Sequence, residues 1–200
     1  MNIPEYLLKN VSVRIIKNVW VDEIVGLENI KNEPSIVIAN HSSYFDFLVL
    51  GAIYQYYKAP LYFWAKMKVV NHFIFRYYTK YCESIAIDSQ NSTTFWKKSL
   101  EHLKDGKNIG IFPEGTRSRD GKINNFKLGY LKLATEASVP IQPVYLYNTY
   151  NILPPNKRIP NLKKCKIIIY PSFTLEKNIS DKSELDIINN LVLQNYYNKI

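Results

Sequence analysis

An alternation constrains this chain more than any other feature: short apolar runs bounded by turn residues are separated by stretches with helical apolar spacing. The strand candidates are Val19 to Val25, Ser35 to Ala39, Leu61 to Ala65, Ser84 to Asp88, Asn108 to Phe112, Ile141 to Leu146 and Lys166 to Tyr170. Helical patterns run over Tyr44 to Tyr57, Met67 to Lys80, Thr93 to Asp105 and Lys127 to Ala137, and a last one over Asp181 to Tyr197. Strands that alternate with helices of this length predict an α/β fold, a mixed and largely parallel central sheet flanked by helices. Gly106 falls where the third pattern needs a terminator. Asn148 to Asn161 holds Pro154, Pro155 and Pro160 and reads as a loop, because too little chain follows it to build a second core.

The N-terminal segment belongs to the same scheme. Ile3, Leu7, Leu8, Val11, Ile15 and Ile16 recur at helical spacing, with Pro4 tolerated in the first turn and Lys9, Arg14 and Lys17 elsewhere. Residues 1–18 are expected to form an amphipathic helix that either packs on the domain or lies on a membrane. Residues 19–200 are expected to form one domain.

Composition narrows the partners. Twenty-six Lys and Arg against 17 Asp and Glu leave a net charge of +9, which points to an anionic partner: nucleic acid, a lipid surface or a phosphorylated substrate. A 46% hydrophobic share excludes intrinsic disorder as the main state. Cys82 and Cys165 lie far apart without metal-ligand spacing, so neither a disulfide framework nor a cysteine zinc site is expected, and no metal site is assigned. Charges interrupt the first twenty residues, and no run reaches the roughly 18 apolar residues of a spanning helix. The reading is a soluble or peripheral protein with no signal peptide. From Phe47 to Cys82 there is no Asp or Glu, yet Lys58, Lys66, Lys68, Arg76 and Lys80 stand among many aromatics. Such a window suits a headgroup boundary, stacked single-stranded nucleic acid, or an aromatic core with solvated lysines between the rings.

Two local motifs carry chemistry. The first, Asn40-His41-Ser42-Ser43-Tyr44-Phe45-Asp46, lies between a strand candidate and a helix, where sites gather in α/β sheets. With Ser43 as the helix cap, Asp46 falls in the first turn and folds back toward His41. A carboxylate on one imidazole nitrogen leaves the other as a base for an alcohol proton. No GxSxG elbow exists, so a covalent acyl-enzyme is not indicated. The second motif, Phe112-Pro113-Glu114-Gly115-Thr116-Arg117-Ser118-Arg119, also follows a strand candidate, and Arg117 offers a planar fork suited to phosphate.

Together, in this order, the motifs resemble the NHxSxxD and FPEGTR signatures of the glycerolipid acyltransferase family, typified by 1-acylglycerol-3-phosphate acyltransferases. Val25 to Asn29, Ala65-Lys66, Phe126 to Gly129 and Val139 to Val144 resemble further blocks of that family, so the likeness runs over roughly residues 20 to 147. The resemblance implies an O-acyltransferase of phospholipid biosynthesis. His41 would be the general base on the acceptor hydroxyl and Asp46 its orienting partner. Arg117 would be the anion clamp, in a loop shaped by Glu114, Gly115 and Thr116, with Lys66 and Lys127 as further substrate cations.

It also implies acyl-CoA or acyl-carrier protein as co-substrate, no cofactor, a lysophospholipid acceptor, a membrane surface as partner with no nucleic acid expected, and a peripheral place on the cytoplasmic face of a membrane. Ser89 stands where the family carries an arginine, which leaves the acceptor headgroup open; Arg76 or Lys80 could replace it. The alternatives are a non-phosphatidic lysolipid acceptor and a non-catalytic binder of anionic lipid or nucleic acid. His72 and His102 have no comparable surroundings.

Overall fold

A computed structural model describes residues 3–66, 85–87, 92–157, 159–176, 179 and 181–197, with side chains of 3–9, 65, 66, 86, 87, 92 and 197 left aside. The expected helix from Met67 to Lys80, His72, Arg76 and Ser89 lie outside the described residues.

Among the described residues, seven strands form one sheet. They are β1 Val21–Val25, β2 Ile36–Ala39, β3 Leu61–Lys66, β4 Ile85–Ile87, β5 Asn108–Ile111, β6 Ile141–Tyr147 and β7 Cys165–Ile169, in the spatial order β1-β7-β6-β2-β5-β3-β4. β6, β2, β5, β3 and β4 run parallel, while β7 lies antiparallel to β6 and pairs in parallel with β1. The sheet is therefore mixed and largely parallel, as the alternation predicts.

Among the described residues the α-helices are α1 Ile3–Trp20, α2 Asp46–Tyr56, α3 Ser92–Lys104, α4 Gly129–Ala137, α5 Thr149–Ile152 and α6 Lys182–Tyr197. β2 shows why the sheet sits between two layers: all four of its residues are buried, the mark of a central strand covered on both faces. Val37 and Ala39 pack with Val13, Ile16, Val49 and Ile53 of α1 and α2. Ile36 and Ile38 pack on the other face with Leu103, Leu131, Leu133 and Tyr196 of α3, α4 and α6. Gly110 in β5 is required by close approach, since a Cβ there would lie 2.6 Å from the Phe63 ring.

Boundaries shift where tertiary bonds compete with local pattern. α1 continues to Trp20, two residues past the expected 1–18 helix, and β1 starts at Val21 instead of Val19. The Trp20 indole donates to the Asn161 carbonyl at 3.0 Å and packs on Phe45 with centroids 5.2 Å apart, so the helical end is held against the β branch of Val19. α4 starts at Gly129, two residues past the expected Lys127, whose amide donates to the Pro113 carbonyl at 2.9 Å. The loop expected over Asn148 to Asn161 contains the single helical turn α5. Gly106 takes φ +78° just after α3, as a terminator should.

α1 divides the apolar stripe expected of it between two faces. Val13 and Ile16 are buried in the core, whereas Val11, Ile15 and Val19, one turn apart, are exposed. Among the described residues no helix is long and apolar enough to cross a membrane.

Candidate active site

β2 delivers the first motif to the end of the central strands. Asn40 continues the ladder with its side chain: Nδ2 donates to the Leu146 carbonyl at 3.0 Å and Oδ1 accepts the Leu146 amide at 2.8 Å, which ties the strand end to β6. The chain then turns, and Asp46 opens α2 fully buried. One oxygen, Oδ2, accepts from His41 Nδ1 at 2.8 Å and from the amides of Ser42 and Ser43 at 2.7 Å each. The carboxylate thus folds back onto the turn that precedes α2.

The helix begins at Asp46 instead of the expected Ser43 cap. The Ser43 hydroxyl takes the Phe45 amide at 2.9 Å and donates to the Leu153 carbonyl at 2.7 Å, closing a local turn.

With Asp46 ionised, the Nδ1 proton is held and the Nε2 lone pair is left for a substrate; this tautomer is assigned from the hydrogen bonds. The imidazole is 17% exposed and stacks on Phe112, centroids 4.2 Å apart, which in turn stacks on Phe63 at 5.9 Å. A base in this setting is oriented by a buried charge, walled by rings and still open to a ligand.

The second motif holds the first by its main chain. Glu114 Oε1 accepts the His41 amide at 2.6 Å, and the Ser118 amide donates to the His41 carbonyl at 2.7 Å. Glu114 Oε2 accepts the backbone and side-chain nitrogens of Asn124 at 3.0 and 2.9 Å. Burial pushes the Glu114 carboxyl above its ordinary range, against the amides that pull it down. All three of its partners are donors, so the group works as an ionised acceptor.

The loop then turns outward through Gly115, φ +72°, and Thr116, both exposed. Arg117 is half-buried, its guanidinium carbon 3.3 Å from the centre of the Tyr44 ring. Its buried Nη1 has no hydrogen-bond acceptor among the described residues. A guanidinium fixed by stacking with a donor left over can receive an anion. Lys127 lies on the same loop: a Cβ on Gly115 would sit 2.9 Å from its Nζ.

His41, Asp46 and Glu114 are therefore linked by hydrogen bonds, Lys127 lies beside Gly115, and Arg117 meets the first loop through Tyr44. Thr116 stands between Gly115 and Arg117, and Lys66 ends β3 in register with Ile87. His102 lies elsewhere, bonded to the Lys98 carbonyl at 2.8 Å and packed edge-on against Tyr62. Sequence reasoning missed the roles of Ser118 and Asn124 and the Phe112–Phe63 stack. Ser118 acts through its amide, which every residue but proline has, so no side-chain signal could mark it.

Burial first, and the Asp46 charge second, push the Cys165 thiol up to about 12.

A family model described as Acyltransferase matches residues 23–147, the span that contains both loops and the strands that carry them. The chain belongs to the Acyltransferase family. Among its relatives, the chloroplastic 1-acyl-sn-glycerol-3-phosphate acyltransferase BAT2 of Brassica napus is 30% identical over 143 residues, covering 66% of this chain and 39% of that protein. The 1-acyl-sn-glycerol-3-phosphate acyltransferase of Saccharomyces cerevisiae is 32% identical over 174 residues, 80% of this chain and 54% of that one. This acyltransferase-family chain spans about half the length or less of these curated relatives. Its fold is similar to the crystal structure of PlsC, the 1-acyl-sn-glycerophosphate (LPA) acyltransferase from Thermotoga maritima. The TM-score is 0.74 at 27% identity, covering 96% of this chain and 76% of that one.

Proposed function

We propose that this protein transfers a fatty acyl group from an acyl thioester to the hydroxyl of a lysophospholipid, 1-acylglycerol-3-phosphate being the favoured acceptor. The observation that carries the reading is the buried Asp46 bonded to His41 Nδ1 at 2.8 Å, beside an arginine with an unused donor. Relatives named for this acceptor support the choice of substrate.

His41 Nε2 takes the proton of the acceptor hydroxyl as its oxygen attacks the thioester carbonyl. The tetrahedral intermediate collapses, the carbon–sulfur bond breaks, and the imidazolium returns the proton to the departing thiolate. Asp46 holds the imidazole orientation and balances its transient charge, and Arg117 with Lys127 receives the acceptor phosphate. One oxygen nucleophile replaces one sulfur leaving group, so neither a cofactor nor an acyl-enzyme is required. The donor is acyl-CoA or acyl-carrier protein. The exposed stripe Val11, Ile15 and Val19 of α1 supports a peripheral bilayer contact that brings the site to its lipid.

The test is radiolabelled acyl transfer to lysophosphatidic acid by His41→Ala and Asp46→Asn. Each should lower kcat by on the order of 10²-fold or more with the fold intact. Near-parental turnover in both would sink the mechanism.

A further inference from the structure

The segment joining β6 to β7 carries a feature that acyl transfer does not use. Ile159 and Leu162 are 79% and 82% exposed, more than any other large apolar residue described. Single exposed aliphatics are ordinary on a protein surface. These two stand three apart on one loop, among the exposed Lys157, Lys163 and Lys164. Between Glu136 and Glu176 the sequence has no Asp or Glu at all. The carboxylate found beside these lysines is Asp22, 3.6 Å from Lys164 Nζ.

The loop is held at its middle residue. The Asn161 amide donates to the Ile152 carbonyl at 2.7 Å and its Nδ2 to the Asn151 carbonyl at 2.8 Å, while Lys157 Nζ donates to its Oδ1 at 3.2 Å. The Asn161 carbonyl accepts the Trp20 indole at the end of α1. Two aliphatic side chains are thus kept in water on a backbone that is tied down between them. The end of α1 is thereby tied to this loop, and Val19 in its last turn is exposed.

We propose that residues 154–164 form a second bilayer contact, in which Ile159 and Leu162 enter an anionic lipid surface while Lys157, Lys163 and Lys164 meet its headgroups. The loop also has a route to the chemistry. Ser43 Oγ donates to the Leu153 carbonyl, and the Ser42 and Thr149 hydroxyls lie 3.2 Å apart, so the base of the loop is bonded to the turn that carries His41. Docking the loop would set the height of the catalytic turn above the lipid. The proposal extends the bilayer contact assigned above to α1, and its test reads binding apart from catalysis.

The full chain is cosedimented with vesicles of phosphatidylcholine alone and of phosphatidylcholine mixed with phosphatidylglycerol. Ile159→Ser with Leu162→Ser should lower partitioning onto the mixed vesicles by at least about tenfold. Ile159→Trp with Leu162→Trp, which suits headgroup depth, should retain it. Lys157→Gln with Lys163→Gln should lose binding several-fold on mixed vesicles and none on neutral ones. Ile187→Ser with Leu191→Ser, an equally aliphatic exposed pair on α6, should bind as the parent does. Acyl transfer to a short-chain, water-soluble lysolipid should be unchanged in the loop variants, which separates loss of docking from loss of chemistry. Parental partitioning by the Ile159/Leu162 serine variant, an equal loss in the α6 control, or binding indifferent to phosphatidylglycerol, as for a loop that docks a protein, overturns the proposal.

Discussion

The two loops of the site sit at the ends of neighbouring strands, β2 and β5, yet they use their side chains differently. In the first, the side chains carry the proposed chemistry: Asp46 fixes the His41 ring, and two serine amides donate to the same carboxylate oxygen. In the second, the loop's acid and one of its amides hold the first loop by both ends of the His41 main chain, and only beyond Gly115 does it present Arg117, the proposed anion clamp. Two buried carboxylates in one site therefore have separate tasks. Asp46 orients a ring; Glu114 places a backbone.

That division can be broken at three points. Glu114→Gln puts an amide donor against donors, leaving one buried group unsatisfied at a cost of about 1–3 kcal/mol. It should lower the melting temperature by several degrees, and by shifting His41 it should cut kcat by on the order of 10²-fold. A variant with a normal melt and normal kcat would mean that the clamp is not what positions the histidine. Arg117→Ala removes the stacked fork while leaving the clamp, so the KM for a phosphorylated acceptor should rise by on the order of tenfold with kcat much less affected. An equal rise for a neutral lysolipid would show that Arg117 shapes the loop and does not read the charge. The smallest effect belongs to Gly115→Ala. The left-handed backbone costs about 1 kcal/mol and the added methyl displaces the flexible end of Lys127. Thermal melting should register that loss, and acceptor KM a modest rise.

Much of this was legible in the chain. The strand candidates match the seven strands because a parallel sheet covered on both faces demands apolar runs, and Ile36 to Ala39 is such a run. His41 and Asp46 were legible as a pair because the helix entry between them is local, and local geometry follows from spacing. The end of α1 was not, since Val19 and Val21 favour a strand and only the distant Asn161 and Phe45 hold Trp20 in the helix. The work of Glu114 was not legible either. Its partners stand 73 residues before it and 10 after, and the nearer group is bound partly through an amide that carries no residue identity.

The alternation of strands and helices, the His41–Asp46 pair and the order of the motifs are properties of the sequence itself, for each rests on contacts within a few residues or on periodicity. Tertiary structure alone decided that the Glu114 loop clamps His41, that Arg117 is stacked on Tyr44 with a donor to spare, and that Asn161, between the exposed Ile159 and Leu162, is tied to the end of α1. Those contacts depend on which strands become neighbours, and strand order is settled by the packing of the whole sheet.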